Sequence, residues 1–246
     1  MESDTRATRW LGAAFVAQFV TSLAAGVLAM KMLTGGASQA LIVAASNPAI
    51  VRASALLELL TAAGITALTA LLFAKLGDLN RPRALVALGM WIGEVGLTAI
   101  RALGLYALAA LGTQAASGSG SASSLTGAGT LALGLYQNAY TASMLFFCLG
   151  GLLWYSLLYG SALVPRWLAG WGFLGVLPLL VSTLLTLWDR SLSLGILPGL
   201  PYAPFELVVG TWLIVTAGRT ATEFKAAKNV TAAGATAPAN LKGALS

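Results

Sequence analysis

Four ionisable residues stand where a chain this apolar should not tolerate them: Glu58, Glu94, Arg101 and Glu206. Each lies inside a long apolar run, and a charge at the centre of a bilayer costs about 2.5–3.5 kcal/mol or more. Each therefore needs a partner or a polar cavity. Glu94 and Arg101 are seven positions apart, so on a helix they project from one face with an axial offset of roughly 10 Å. The length of an Arg side chain, or an intervening water, would close that gap. Glu58 is expected roughly 12 Å below the external end of its helix. Glu206 follows Pro201 and Pro204 and is expected to open the last span from the external side, where a helix N-terminus favours a carboxylate. With Arg52 at the external end of the second span, the expectation is one charged cluster shared by spans two, three and six. Gln137, Asn138, Tyr136 and Tyr140 at the external end of the fourth span extend the same polar surface, and Gln18 on the first is a weaker candidate.

Two uses of such a cluster compete. It can form a ligand pocket or proton path, or it can neutralise charges pairwise so that helices, or a partner helix, hold one register. A third reading, an intramembrane enzyme with Glu58 or Glu94 as general base, lacks any paired nucleophile or metal motif. No catalytic residue, metal ligand or cofactor is assigned.

The elements that carry these residues follow from composition. The 246 residues are 58% hydrophobic and 9% charged, with a mean hydropathy of +0.83. Those values exclude a water-soluble globule and a disordered chain and point to an all-α polytopic membrane protein. The single Cys excludes an internal disulfide, and the absence of His removes imidazole-dependent zinc, haem and Ser-His chemistry. Six unbroken runs read as transmembrane helices over about 10–30, 50–72, 84–111, 131–158, 167–188 and 204–217. An Arg-flanked first run also resembles a signal peptide, but its length favours an uncleaved span.

Threading six spans places Arg6, Arg9, Lys75, Arg81, Arg83, Arg166, Arg219, Lys225 and Lys228 on one side. The positive-inside bias then puts both termini in the cytoplasm. The net charge of +6 and pI near 9.8 are read as contact with anionic lipid, not nucleic acid. The Gly/Ala/Ser/Thr-rich stretch from Gly112 to Thr130 is expected to be a flexible external loop, and residues 219–246 a disordered cytoplasmic tail. Between Gly35 and Asn47 a short apolar stretch is expected along the interface. Gly89, Gly93 and Gly96 are expected to admit a close helix neighbour, and Cys148 to fill space. Trp10, Trp167 and Trp188 are expected at headgroup level.

Asn47, Pro48 and Arg52 ahead of a span bearing Glu58, then Asn80 and Arg81 in a basic turn, then Glu94, resemble a bacterial membrane family catalogued as domain of unknown function 4386. Tyr159, Gly160, Ser161, Leu163, Pro165 and Arg166, with Pro204, Glu206, Trp212, Leu213 and Gly218, extend the resemblance over about Arg9 to Gly218. It implies a six-helix protein of a bacterial cytoplasmic membrane, with no activity to borrow. Glu58, Glu94 and Glu206 resemble acidic positions of that family. The expected partners are membrane lipid and either a small polar or amphiphilic ligand or another membrane protein.

Overall fold

The computed structural model describes residues 2–218. The expected tail at 219–246 lies outside the described residues. Long runs of Leu and Ala favour helix, and the described chain is built of helices: α1 (Glu2–Leu33), α2 (Gly36–Ser46), α3 (Pro48–Leu76), α4 (Arg81–Ala116), α5 (Ala122–Gly160), α6 (Arg166–Trp188) and α7 (203–218). Six segments are long and apolar enough to cross a membrane, the last running Leu197–Gly218. The protein is a multi-pass membrane protein whose outward side chains meet lipid.

Local signals set the helix ends. Pro48 and Pro82 sit in the first turns of α3 and α4, where a missing N–H costs nothing. The Asn80 side chain caps α4 by accepting from the Arg83 N–H at 3.0 Å, and Ser121 caps α5 through the Ser124 N–H. That second cap revises one expectation. Only 117–121 break the helices in the small-residue stretch, whose remainder finishes α4 and starts α5. Ala is the best helix former, and the stretch has tertiary cover from α2.

α2 does not lie along the interface alone. Ala40, Leu41 and Ala44 are buried, and Gly112 and Gly129 let α4 and α5 approach it: a Cβ on Gly112 would fall 2.5 Å from the Ala44 carbonyl carbon. Of the three expected contact glycines on α4, Gly93 packs against Phe146, while Gly89 and Gly96 face open space. Trp167 and Trp188 are exposed at the two ends of α6, Trp10 is exposed but lies eight residues into α1, and Cys148 is buried.

The transmembrane helices neighbour one another in the order α1, α3, α4, α5, α6, α7 and back to α1. One end of the bundle carries Lys75, Arg81, Arg83 and Arg166, with Lys75 paired to Asp4 there; we call it the basic end. The core falls into two apolar clusters. One, near the basic end, centres on Trp91, Trp154, Tyr155 and Phe205; the other centres on Met32, Leu41, Leu105, Leu108 and Leu133.

α7 departs from a simple span. Its 16 helical positions would rise only about 24 Å, short of a hydrocarbon core of about 30 Å. Trp171, five residues into α6 and so roughly 8 Å from its basic end, donates to the Pro201 carbonyl at 2.8 Å. The chain from Asp189 to Tyr202, with two short 3-10 turns, thus descends along α6 before α7 begins. Glu206 therefore opens its helix from deep inside the bundle, not from the external surface. Three prolines in 198–204 remove N–H donors and stop an ordinary helix from covering that descent.

Candidate functional site

A polar layer lies between the two apolar clusters. On α3, Ala55 belongs to one cluster and Ile65 to the other, and the buried Glu58 and Thr61 fall between them. On α4 the interval between Trp91 and Leu105 holds Glu94, Thr98 and Arg101, all buried. On α5 the interval between Tyr136 and Cys148 holds Tyr140 and Ser143. Helical periodicity explains this: Glu94, Thr98 and Arg101 recur at spacings of four and three, one inward face of a 3.6-residue helix.

The first centre in the layer is an ion pair. Arg101 Nη2 donates to Glu58 Oε1 at 2.6 Å, and the Tyr136 hydroxyl donates to the same oxygen at 3.2 Å. The guanidinium carbon stands 5.4 Å from the Tyr136 ring centroid and 4.9 Å from that of Tyr140. A short charge-assisted bond and two ring faces hold the cation tightly. Arg101 therefore reaches across to α3, not back along its own helix to Glu94.

The second centre has carboxyl groups and no cation of its own. Glu206 is buried, accepts from the Tyr202 hydroxyl at 2.8 Å, and is hydrogen-bonded by Gln18 of α1. Tyr202 in turn shares a hydrogen bond with Tyr155 of α5. Glu94 lies within electrostatic reach of both Glu206 and Arg101, and so links the two centres. A close approach of α1 to α7 makes this possible: a Cβ on Gly12 would fall 2.5 Å from the Gly210 carbonyl oxygen.

Three charged groups in the layer carry polar atoms that are buried without a hydrogen-bond partner among the described residues: Glu58 Oε2, Glu94 Oε2 and Arg101 Nε. Among the described residues no group of three or more His, Cys, Asp or Glu is placed to hold a metal.

The residues singled out from sequence distribute as follows. Glu58, Glu94 and Arg101 come together in the layer, with Tyr140 against Arg101, while Glu206 stands among Tyr202, Phe205 and Val209 of the basic-end cluster, within electrostatic reach of Glu94. Arg52 does not join them. It is exposed, because its position on α3 falls on the outward face. Gln137 and Asn138 also stand apart: their oxygens accept from Arg190 Nη1 and Nη2 at 2.8 and 2.6 Å. That clasp ties the segment after α6 back to α5. The fourth span enters the layer through Tyr136 and Tyr140, and the first through Gln18. Sequence reasoning missed Tyr202 and Tyr155. The spacing of four between Tyr202 and Glu206 was a readable signal, since i and i+4 meet on a helix; nothing local marks Tyr155.

A family model described as "Domain of unknown function (DUF4386)" matches residues 10–217. No curated protein and no solved structure matches the chain.

Proposed function

The chain belongs to the family catalogued as domain of unknown function 4386, and from that footing we propose that it is a binding or transport protein whose polar layer takes a small polar or amphiphilic molecule or a lipid. The observation that carries this reading is the set of partnerless atoms on Glu58, Glu94 and Arg101. Hydrocarbon offers no donor or acceptor, and an unmet buried charged group costs more than a neutral one. A polar occupant of the layer supplies donors and acceptors of the kind these atoms lack. In this reading the protein sits in the bacterial cytoplasmic membrane with its basic end, and so both termini, in the cytoplasm. The test is native mass spectrometry of the protein extracted from membranes. A molecule retained by the wild type is lost from Glu94→Gln at an unchanged unfolding midpoint. Equal retention by the variant rejects the role of Glu94.

The ion pair supports a second reading for part of the layer. Glu58 and Arg101 pair through Oε1 and Nη2 at 2.6 Å, as helix-positioning groups do. Substituting them then lowers stability, whereas Glu94 and Glu206 govern occupancy. If all four substitutions only destabilise, the protein is a structural or accessory membrane subunit.

A further inference from the structure

Two carboxyls of this molecule are buried alike and kept in opposite company. Glu58 is 0% exposed and has the Arg101 guanidinium at 2.6 Å. Glu206 is 5% exposed, and its hydrogen-bond partners among the described residues are neutral: the Tyr202 hydroxyl donates to Oε1 at 2.8 Å, and Gln18 bonds the carboxyl from α1. Tyr202 shares a further hydrogen bond with the hydroxyl of Tyr155, a fully buried residue of α5. With the Tyr202 proton given to Glu206, Tyr155 is the donor in that second bond, so both hydroxyls point toward the carboxyl. Close packing shuts water out of the junction. A Cβ on Gly12 of α1 would fall 2.5 Å from the Gly210 carbonyl oxygen, and one on Gly172 of α6 would fall 2.4 Å from the Phe205 ring. The Phe205 ring meets that of Tyr155 edge-on at 4.9 Å.

An ionised carboxylate in such a place is stranded. Hydroxyl and amide donors replace only part of the lost hydration, and no opposite charge balances it. Glu206 lies in the first turn of α7, whose N-terminus favours a negative charge, but the partial charge of a helix end is small beside the desolvation of a whole one. The titratable groups that face Glu206 are Tyr155 of α5, Tyr202 beside it and, at longer range, Glu94 of α4, an acid that adds no compensation. From α1 comes the neutral Gln18, and α6 meets this turn through Gly172 and Gly175. One proton on the carboxyl removes the stranded charge. It also supplies an O–H donor, which the Gln18 amide accepts once its carbonyl is turned to face it.

We propose that Glu206 is a proton-binding site, filled while α1, α5, α6 and α7 are packed as here and emptied when water enters their junction. On release the carboxyl O–H bond breaks, its electron pair stays on the carboxylate, and the proton passes to the entering water. A membrane-buried charge that appears and disappears in this way is what a proton-linked step requires. The assignment stands apart from the ligand reading, because a proton needs no room beyond the carboxyl itself. The test compares wild type with Glu206→Gln as purified full chains in a neutral detergent. A Glu of the unfolded chain is ionised above roughly pH 6, so a folded chain that holds this proton loses stability as pH rises. The unfolding constant of the wild type, divided by that of Glu206→Gln at the same pH, rises about tenfold per pH unit between roughly pH 6 and 8. A ratio indifferent to pH overturns the proton site. Infrared spectra of protein labelled with carbon-13 glutamate give a direct readout at neutral pH. A carboxylic-acid carbonyl band that shifts with the label persists in Glu94→Gln and is lost from Glu206→Gln. Where Glu206→Gln fails to fold, labelled Glu94→Gln decides, and a spectrum without that band overturns the assignment. Neither result bears on whether a molecule is retained on extraction, so the two readings fail separately.

Discussion

Replacing Arg101 by Met tests whether the polar layer is held by charge compensation. Arg101 and Glu58 are 5% and 0% exposed and joined at 2.6 Å. Removing the cation leaves Glu58 with only the Tyr136 hydroxyl as donor, at 3.2 Å. Breaking a buried pair from one side costs about 3–5 kcal/mol, because the remaining charge is stranded. At about 2–4 °C per kcal/mol for a chain of this size, the unfolding midpoint falls by about 6–20 °C. The double variant Glu58→Met with Arg101→Met strands nothing and recovers most of that loss, since a buried pair is often replaceable by apolar side chains of similar volume. Cys148, the only cysteine and fully buried, supplies the assay: a maleimide dye that fluoresces on reaction reports its exposure as the detergent-solubilised protein is heated. A fall below about 3 °C for Arg101→Met, or a double variant less stable than the single one, refutes the compensation argument.

Other expectations can be checked with the same protein. Gly112→Ala places a methyl 2.5 Å from the Ala44 carbonyl carbon and 2.6 Å from its Cβ, so it destabilises by about 1–3 kcal/mol through overpacking. Gly89→Ala, facing open space on the same helix, is neutral or stabilising by up to about 1 kcal/mol; equal midpoints for the two variants would contradict the close α2–α4 contact. Tyr202→Phe removes the 2.8 Å donor to Glu206 and weakens stability by about 0.5–1.5 kcal/mol, the range for a typical hydrogen bond; an unchanged thermal midpoint counts against that bond. With Cys148 replaced by Ala, Ser119→Cys reacts with a membrane-impermeant maleimide on intact cells and Leu79→Cys does not. The reverse pattern overturns the proposed orientation.

Sequence alone determined the class of solvent and therefore of fold. A mean hydropathy of +0.83 with 9% charge leaves helices as the way to satisfy the backbone in lipid, and the runs around Glu58, Glu94 and Glu206 marked their own helices as exceptional. Helical periodicity put Glu94 and Arg101 on one face, because that regularity is local. Which partner each charge takes is not local. Arg101 reaches Glu58 because α3 and α4 run antiparallel at one register, and Glu206 meets Gln18 because Gly12 and Gly210 bring α1 and α7 together. Small residues at 112–130 read as a loop in isolation, yet α2 supplies the packing that makes most of them helical. Arg52 and Glu58 are six positions apart on one helix, and only the rotational setting of α3 within the bundle turned one outward and the other in. Composition records what a residue costs in lipid; the neighbour that offsets that cost comes from distant segments, and packing alone brings those segments side by side.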